Sequence, residues 1–415
     1  MDNYSSLLSK IFQAYPMYHR IGSRAYKEGL ENIEALAALT GHPEKKWASV
    51  HVAGTNGKGS VAHLFASFFQ EKGYKTGLYT SPHLVHFNER VKINGIPISE
   101  DAVLHFFKKY EHVWISKEIA PSFFEMTTIL AFDYFARQNV DIAVIETGLG
   151  GRLDSTNIIT PLLSVITHIS LDHVSLLGNT LSDIAREKAG IIKQGVPVVI
   201  GKYQSETWQI FNDIARKQGA PLYLADALDG EMKNLLPGNF QQENIATFVK
   251  GLEVLSSRYS HTKEDIKKSI INIYKNTHLQ GRWQILRNNP LVICDVGHNA
   301  GAFEWITAQL ATMSYTHLHF VFGVVNDKDL DTIIPLLPRD RVTYYLCRAD
   351  IERALSPEIL SGRMQAYHLH TTLSGSVAHA CQQALQEAGT GEMVFIGGSC
   401  FVVGEALIAC SHGLI

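Results

Sequence analysis

The stretch that most constrains this chain is His51-Val52-Ala53-Gly54-Thr55-Asn56-Gly57-Lys58-Gly59-Ser60, where an apolar run breaks into glycines and a helical pattern then begins. The residues before Gly54 suit a buried strand, and Val61, Leu64, Phe65, Phe68 and Phe69 recur at the spacing of an apolar helix face. Glycines let backbone N–H groups approach an anion, and the helix N-terminus behind them adds roughly half a positive charge. Gly54 to Ser60 therefore reads as a phosphate loop, with Lys58 reaching the outer phosphates and Ser60 near Mg²⁺. The bland alternative is an ordinary tight strand-to-helix turn. The pattern is not the usual Walker form: Gly54 and Gly57 enclose only two residues, and Gly59 separates Lys58 from Ser60.

A chain of 415 residues, 46% hydrophobic and 19% charged, exceeds what one core usually serves, so two domains are expected. The formal net charge of −3 comes without basic clusters, which leaves no electrostatic footprint for nucleic acid or an anionic membrane. There is no run of about 18 apolar residues and no charged-then-apolar signal at Met1, so a cytoplasmic location is expected. The five cysteines, Cys294, Cys347, Cys381, Cys400 and Cys410, include no CxxC pair and read as reduced thiols.

Two amphipathic helical patterns, with Leu7, Ile11 and Ala14 in the first and Leu30, Ile33, Leu36 and Ala37 in the second, are expected to cover a sheet edge. Lys75 to Tyr79 suggests a strand running into Thr80-Ser81-Pro82-His83-Leu84, then a polar loop to about Ile98 and helices at about 99–117 and 122–138. Asp141 to Glu146 and Leu162 to Thr167 are continuous apolar runs of the kind a parallel sheet buries on both faces. Thr180 to Asp183 makes a capping box, Val196 to Ile200 a strand, and helices follow near 205–217, 239–256 and 263–274, around a weakly patterned stretch at 222–236. From Leu291 the alternation begins afresh. The predicted class is α/β: a P-loop-type, mostly parallel sheet domain over residues 1–284 and a smaller Rossmann-like α/β domain over 290–415, with Arg287-Asn288-Asn289-Pro290 as the polar turn between them.

In open α/β sheets ligands bind beyond the carboxyl ends of the strands. Glu146 closes an apolar strand in the same sheet as the glycine loop, where a Walker-B-type acid would hold Mg²⁺; a capped strand end before a flexible glycine turn is the other reading. His168-Ile169-Ser170-Leu171-Asp172-His173 follows another strand and leads to Arg186, Glu187 and Lys188. On residue type alone, such a histidine is a satisfied structural group and Lys188 a solvated helix cation.

Gly54 to Ser60, Thr80 to Leu84, Asn88-Glu89-Arg90-Val91, Glu146 to Asn157, Leu171-Asp172-His173 and Ala185 to Ile191 resemble, in order and at compatible spacing, the signature segments of the folylpolyglutamate and dihydrofolate synthases, the folate branch of the Mur ligase superfamily. Gly281-Arg282 and Asp295 to Asn299 extend the resemblance into the second domain. Asp295-Val296-Gly297-His298-Asn299 departs from the usual Asp-Gly-Ala-His-Asn, and Gln241-Gln242-Glu243-Asn244 is a loose version of its motif.

The resemblance implies a monomeric, ATP-dependent ligase that adds L-glutamate to dihydropteroate or to a tetrahydrofolate through an acyl phosphate. It assigns ATP to Gly54, Thr55, Asn56, Gly57, Lys58, Gly59 and Ser60 with Asn244, Arg282, Asp295 and His298, and two Mg²⁺ ions to Ser60, Ser81, Glu146 and His173. Lys188 matches the family lysine that is carbamylated, and Lys58, His173 and Lys188 carry the chemistry. Ser122, Phe123, Phe124, Glu125, Leu153, Asp154 and Ser155 fall where the branch binds its pterin-containing substrate. The alternative within the superfamily is an amino-acid ligase acting on a UDP-muramyl precursor, although such enzymes typically carry Thr where Gly59 stands and lack the Ser81-Pro82-His83-Leu84 segment. From other classes, a nucleotide-binding scaffold without turnover and a simple phosphotransferase are the competing readings.

Overall fold

The computed structural model describes residues 3–15 and 29–413. Strands β1 (Ala48–Ala53), β2 (Thr76–Tyr79), β3 (Val91–Ile93), β4 (Ile96–Pro97), β5 (Ile142–Glu146), β6 (Leu163–Ile166), β7 (Val198–Ile200) and β8 (Leu222–Leu224) form one sheet in the order β4-β3-β2-β5-β1-β6-β7-β8. β3 and β4 make an antiparallel edge on an otherwise parallel sheet. Side chains alternate across a strand, so each apolar strand feeds two layers. Ile142 and Val144 of β5 share a cluster with Val50, Val52, Leu64, Phe65 and Phe248, on the side of helices Lys58–Glu71 and Gln241–Leu255. Ala143 and Ile145 join Phe106, Ile129 and Phe132 on the other face, below helices Glu100–Ser116 and Phe123–Arg137.

The N-terminal patterns do not cover a sheet edge. Leu7 and Ile11 of helix Tyr4–Ala14, and Ile33, Leu36 and Ala37 of helix Glu31–Leu39, enter the same cluster as helices Glu100–Ser116 and Phe123–Arg137. The apolar stripes of those helices gave the added pair an apolar surface to bury against, which a hydrogen-bonding edge does not offer.

The second unit is built on β9 (Gln284–Asn288), β10 (Leu291–Asp295), β11 (Leu318–Phe322), β12 (Val342–Arg348), β13 (Thr371–Ser376) and β14 (Met393–Gly397), in the order β13-β12-β11-β14-β10-β9. Its strands are parallel except for the antiparallel edge β9. Arg287-Asn288-Asn289-Pro290 is therefore the turn joining β9 to β10, not a turn between domains; Leu291 pairs with Asn288 and Ile293 with Ile285. The division between compact units falls instead at Leu279/Gln280, and Leu84–His86 and Pro237–Asn239 also belong to the second unit, where Leu84 and Val85 pack against its core. Both units are α/β, as the sequence class predicts. No helix among the described residues is long and apolar enough to cross a membrane.

Candidate active site

β1 lies between β5 and β6, and its carboxyl end opens into the glycine loop. Gly57 caps helix Lys58–Glu71 at φ 93°, a conformation that only glycine adopts readily, and a Cβ there would come within 2.2 Å of the Asn244 amide oxygen. The loop is tied to the segment after β6. Thr55 N–H donates to the His168 carbonyl at 2.8 Å, the Thr55 hydroxyl donates to the Ser170 carbonyl at 3.0 Å, and Asn56 donates to the Ser170 hydroxyl at 3.0 Å. Thr167 closes the other side by donating to the Asn56 carbonyl at 2.7 Å. Lys58 curls over its own loop, with Nζ 2.9 Å from the Gly54 carbonyl and 3.1 Å from that of Thr55. Ser60 is wholly buried, and its hydroxyl has no hydrogen-bond partner among the described residues.

Lys188 approaches from a different element. Read on residue type as a solvated cation, it ends helix Leu181–Lys188 buried, and its ammonium donates to the same Gly54 carbonyl at 2.9 Å. Burial, followed by repulsion from Lys58, pushes its pKa down from 10.5 to about 7, against the attraction of Asp172 and Asp154. His173 sits in the left-handed conformation at φ 51°, with its backbone N–H 3.0 Å from Asp172 Oδ1 and its Nε2 3.9 Å from Asp172 Oδ2. Gln204 clasps Ile169 in that loop, accepting from its N–H at 3.1 Å and donating to its carbonyl at 2.8 Å. Neither Gln204 nor Ser170 carries a sequence signal for this role; only the meeting of distant loops reveals it.

Glu146 closes β5, nearly buried, and accepts the Ser81 backbone N–H at 3.1 Å. Among the described residues, no three His, Cys, Asp or Glu side chains come together as a metal cage. After Glu146 the chain passes Gly148, where a Cβ would lie 2.4 Å from the Phe124 ring. Asp154 organises this turn: one oxygen accepts Gly148 and Leu149 N–H at 2.9 and 2.8 Å, and the other accepts Thr156 N–H at 3.0 Å. Burial raises the Asp154 pKa against these bonds. Leu153 is partly exposed and Ser155 is buried beside it.

Ser122 and Glu125 form a capping box at the start of helix Phe123–Arg137, each side chain accepting the other's backbone N–H, at 3.2 and 2.6 Å. Their polar atoms are thus engaged in fixing the helix that presents Phe123 and Phe124. Phe123 is buried with the Arg90 guanidinium 5.2 Å from its ring, while Phe124 is half-buried near Tyr79. Arg90 also donates to His83 Nδ1 at 2.8 Å, which ties two of the signature segments together.

Asn244 is buried in helix Gln241–Leu255 beside Gly57, and donates to Gln241 at 2.8 Å. Within the second unit, Asp295 ends β10 and accepts Trp283 and Gly297 N–H, each at 2.8 Å. Its pKa is raised by burial, against the pull of Arg282. His298 Nδ1 lies 3.0 Å from the Val296 carbonyl. The structure thus gathers Lys58, Ser60, Lys188 and Asn244 around the glycine loop, joins Ser81 to Glu146, and gathers Arg282, Asp295 and His298 in the second unit.

The family model for the Mur ligase middle domain matches residues 52–259, and that for the Mur ligase glutamate ligase domain matches residues 281–400. The dihydrofolate synthase/folylpolyglutamate synthase of Bacillus subtilis is 35% identical over 358 residues, which is 79% of this chain and 83% of that protein. The solved structure of E. coli FolC in complex with DHPP and ADP is similar at a TM-score of 0.86 and 29% identity, covering 99% of this chain and 98% of its own. A bifunctional folylpolyglutamate synthase/dihydrofolate synthase with Mn, AMPPNP and L-glutamate bound matches at a TM-score of 0.84 and 29% identity, covering 99% and 98%.

Proposed function

The chain belongs to the folylpolyglutamate synthase/dihydrofolate synthase family of the Mur ligases, and from that premise we propose how its residues serve the reaction. It is an ATP-dependent ligase that joins L-glutamate to the carboxylate of dihydropteroate or of a folylpolyglutamate, releasing ADP and phosphate. The observation that carries this reading is the convergence of Lys58, Lys188 and the buried Ser60 hydroxyl on one glycine loop, in a chain whose likeness to folate ligases spans both units.

An oxide is too poor a leaving group for direct amide formation, so the acceptor carboxylate attacks the γ-phosphate of ATP and the resulting acyl phosphate is opened by the glutamate amine. We assign Gly54 to Ser60 the task of cradling the phosphates, their N–H groups and the Lys58 ammonium stabilising charge that develops on the transferred group. Asn244, Arg282, Asp295 and His298 complete our ATP assignment. The orphaned Ser60 hydroxyl, Ser81, Glu146 and His173 fit two Mg²⁺ ions, with hard oxygens supplying most of the donors. When bound, Mg²⁺ neutralises phosphate charge. Lys188, its pKa about 7, is about half neutral amine near pH 7; that amine adds carbon dioxide and releases one proton to solvent, and the carbamate so formed places an anion beside the phosphate loop. Ser122 to Glu125 and Leu153 to Ser155 are assigned to the pterin side, where Phe124 offers a half-buried ring. A monomer working in the cytoplasm completes the proposal.

Glutamate-dependent ADP release, with dihydropteroate and tetrahydrofolate offered in parallel, tests the assignment. Release with both makes the enzyme bifunctional, and release with one assigns it a single step. If a UDP-muramyl precursor supported turnover while both folate acceptors stayed inert, the folate reading would fall.

A further inference from the structure

β1 carries an imidazole between two valines. His51 is fully buried in the strand that leads into the glycine loop, flanked by Val50 and Val52. Its Nε2 lies 2.8 Å from the Thr156 hydroxyl, and that hydroxyl donates to Asp154 Oδ1. A hydroxyl has one proton, so with that proton on Asp154 the Thr156 oxygen must accept from His51. The imidazole is therefore the Nε2–H tautomer. Its other nitrogen, Nδ1, has no hydrogen-bond partner among the described residues, and a bare lone pair is the less costly group to leave there than a buried N–H. Burial and the nearby Lys193 charge push the His51 pKa down to about 3, so the ring stays neutral and keeps this tautomer.

The carboxylate at the end of this chain accepts Gly148 and Leu149 N–H at 2.9 and 2.8 Å, and those residues form the turn that directly follows Glu146 and packs on Phe124. We propose that His51 is a positioning residue of the ligase: its Nε2–H, acting through Thr156, directs the hydroxyl proton onto Asp154 and so holds the Gly148-Leu149 turn in one conformation against the Phe124 ring. The proposal rests on the assignment of this turn to the pterin side of the site. It accounts for a polar side chain in the middle of an apolar strand, where packing alone asks for a third valine. The relay crosses from β1 to the loop after β5 and joins two segments 105 residues apart.

Two measurements on the full-length enzyme test it. Nitrogen-resolved NMR of the histidines reads the tautomer without turnover: a protonated Nε2 and bare Nδ1 on His51 is expected, and an Nδ1–H form or an imidazolium at neutral pH overturns the proposal whatever the substrate. In kinetics, His51→Leu keeps the bulk and apolar packing, and is expected to raise the KM for dihydropteroate about tenfold, the size of one buried hydrogen bond, with the KM for ATP unchanged. His51→Gln, whose amide N–H reaches the Nε2 position, is expected to restore most of the loss. Equal dihydropteroate KM in all three proteins at the wild-type melting temperature overturns the positioning role. If the wild-type enzyme glutamylates no pteroate or folate acceptor, the functional assignment fails, and the tautomer result still decides the hydrogen-bond chain.

Discussion

Lys58 and Lys188 donate to the same acceptor, the carbonyl oxygen of Gly54, each at 2.9 Å. Two ammonium groups on one oxygen repel each other, and the more deeply buried of the pair gives up its proton first. That geometry, together with its burial, is why the Lys188 pKa is pushed down to about 7.

The Lys188 shift sets a pH dependence. The folded value is about 7 against 10.5 for the ordinary side chain, so between these values the unfolded chain holds a proton that the folded protein has released. Stability should rise with pH across that window, and this contribution should be lost as pH falls through about 7. Denaturation midpoints in buffer free of carbon dioxide check the sign: from about pH 7 to about pH 9 the wild type should gain on Lys188→Met. In activity, Lys188→Ala should lose about a hundredfold or more, with partial rescue by a short carboxylate. A variant that ligates at the wild-type rate would remove any need for carbamate chemistry.

Ser60→Ala should separate binding from stability. The wild-type hydroxyl is buried without a partner among the described residues, so its deletion removes an unsatisfied group and should leave the melting temperature unchanged or slightly raised. The KM for ATP should rise by about tenfold to a hundredfold. A large fall in melting temperature with normal ATP use would mean that the hydroxyl serves packing alone.

Gly57→Ala meets two obstacles, the positive φ of 93° and the Asn244 oxygen at 2.2 Å from the new Cβ. The backbone term alone costs about 1–2 kcal/mol. A second change, Asn244→Ala, should relieve the clash but not the backbone strain, so the double variant should recover part of the stability lost by the first. Chemical denaturation of the four proteins of this cycle measures the split.

Asp295→Asn should destabilise the second unit by about 1–3 kcal/mol, because an amide has one accepting oxygen where the carboxylate now receives N–H groups on both. Trp283, buried and bonded to Asp295 through its backbone, supplies a fluorescence probe of that unit. An unchanged midpoint would show that the carboxylate is kept for ligand contact and not for the fold.

The strands that escaped the sequence reading lie at or next to sheet edges. β4, β8 and β13 each lie at an edge, and β3 sits next to β4; all are short or polar, as in Thr371-Thr-Leu-Ser-Gly-Ser376, because an edge gains one row of hydrogen bonds and buries little. The turn at Asn289-Pro290 misled for a similar reason: β9 before it is half-exposed, so its alternation does not announce a strand. Ser122 and Glu125 show the opposite case: their capping-box spacing is readable in the chain, and the box is formed at the start of helix Phe123–Arg137.

The order of residues by itself determined the α/β class, the central strands and the place of the phosphate loop. These depend on local rules: alternation along a buried strand, helical spacing behind it, and a glycine where φ must be positive. Tertiary structure alone decided that Lys188 is a buried amine and not a solvated cation, since its acceptor lies 134 residues away at Gly54. It alone decided that His51 belongs to the Asp154 turn. Burial and charge proximity are properties of segments brought together by the sheet, and they set the protonation and hydrogen bonding on which the chemistry depends.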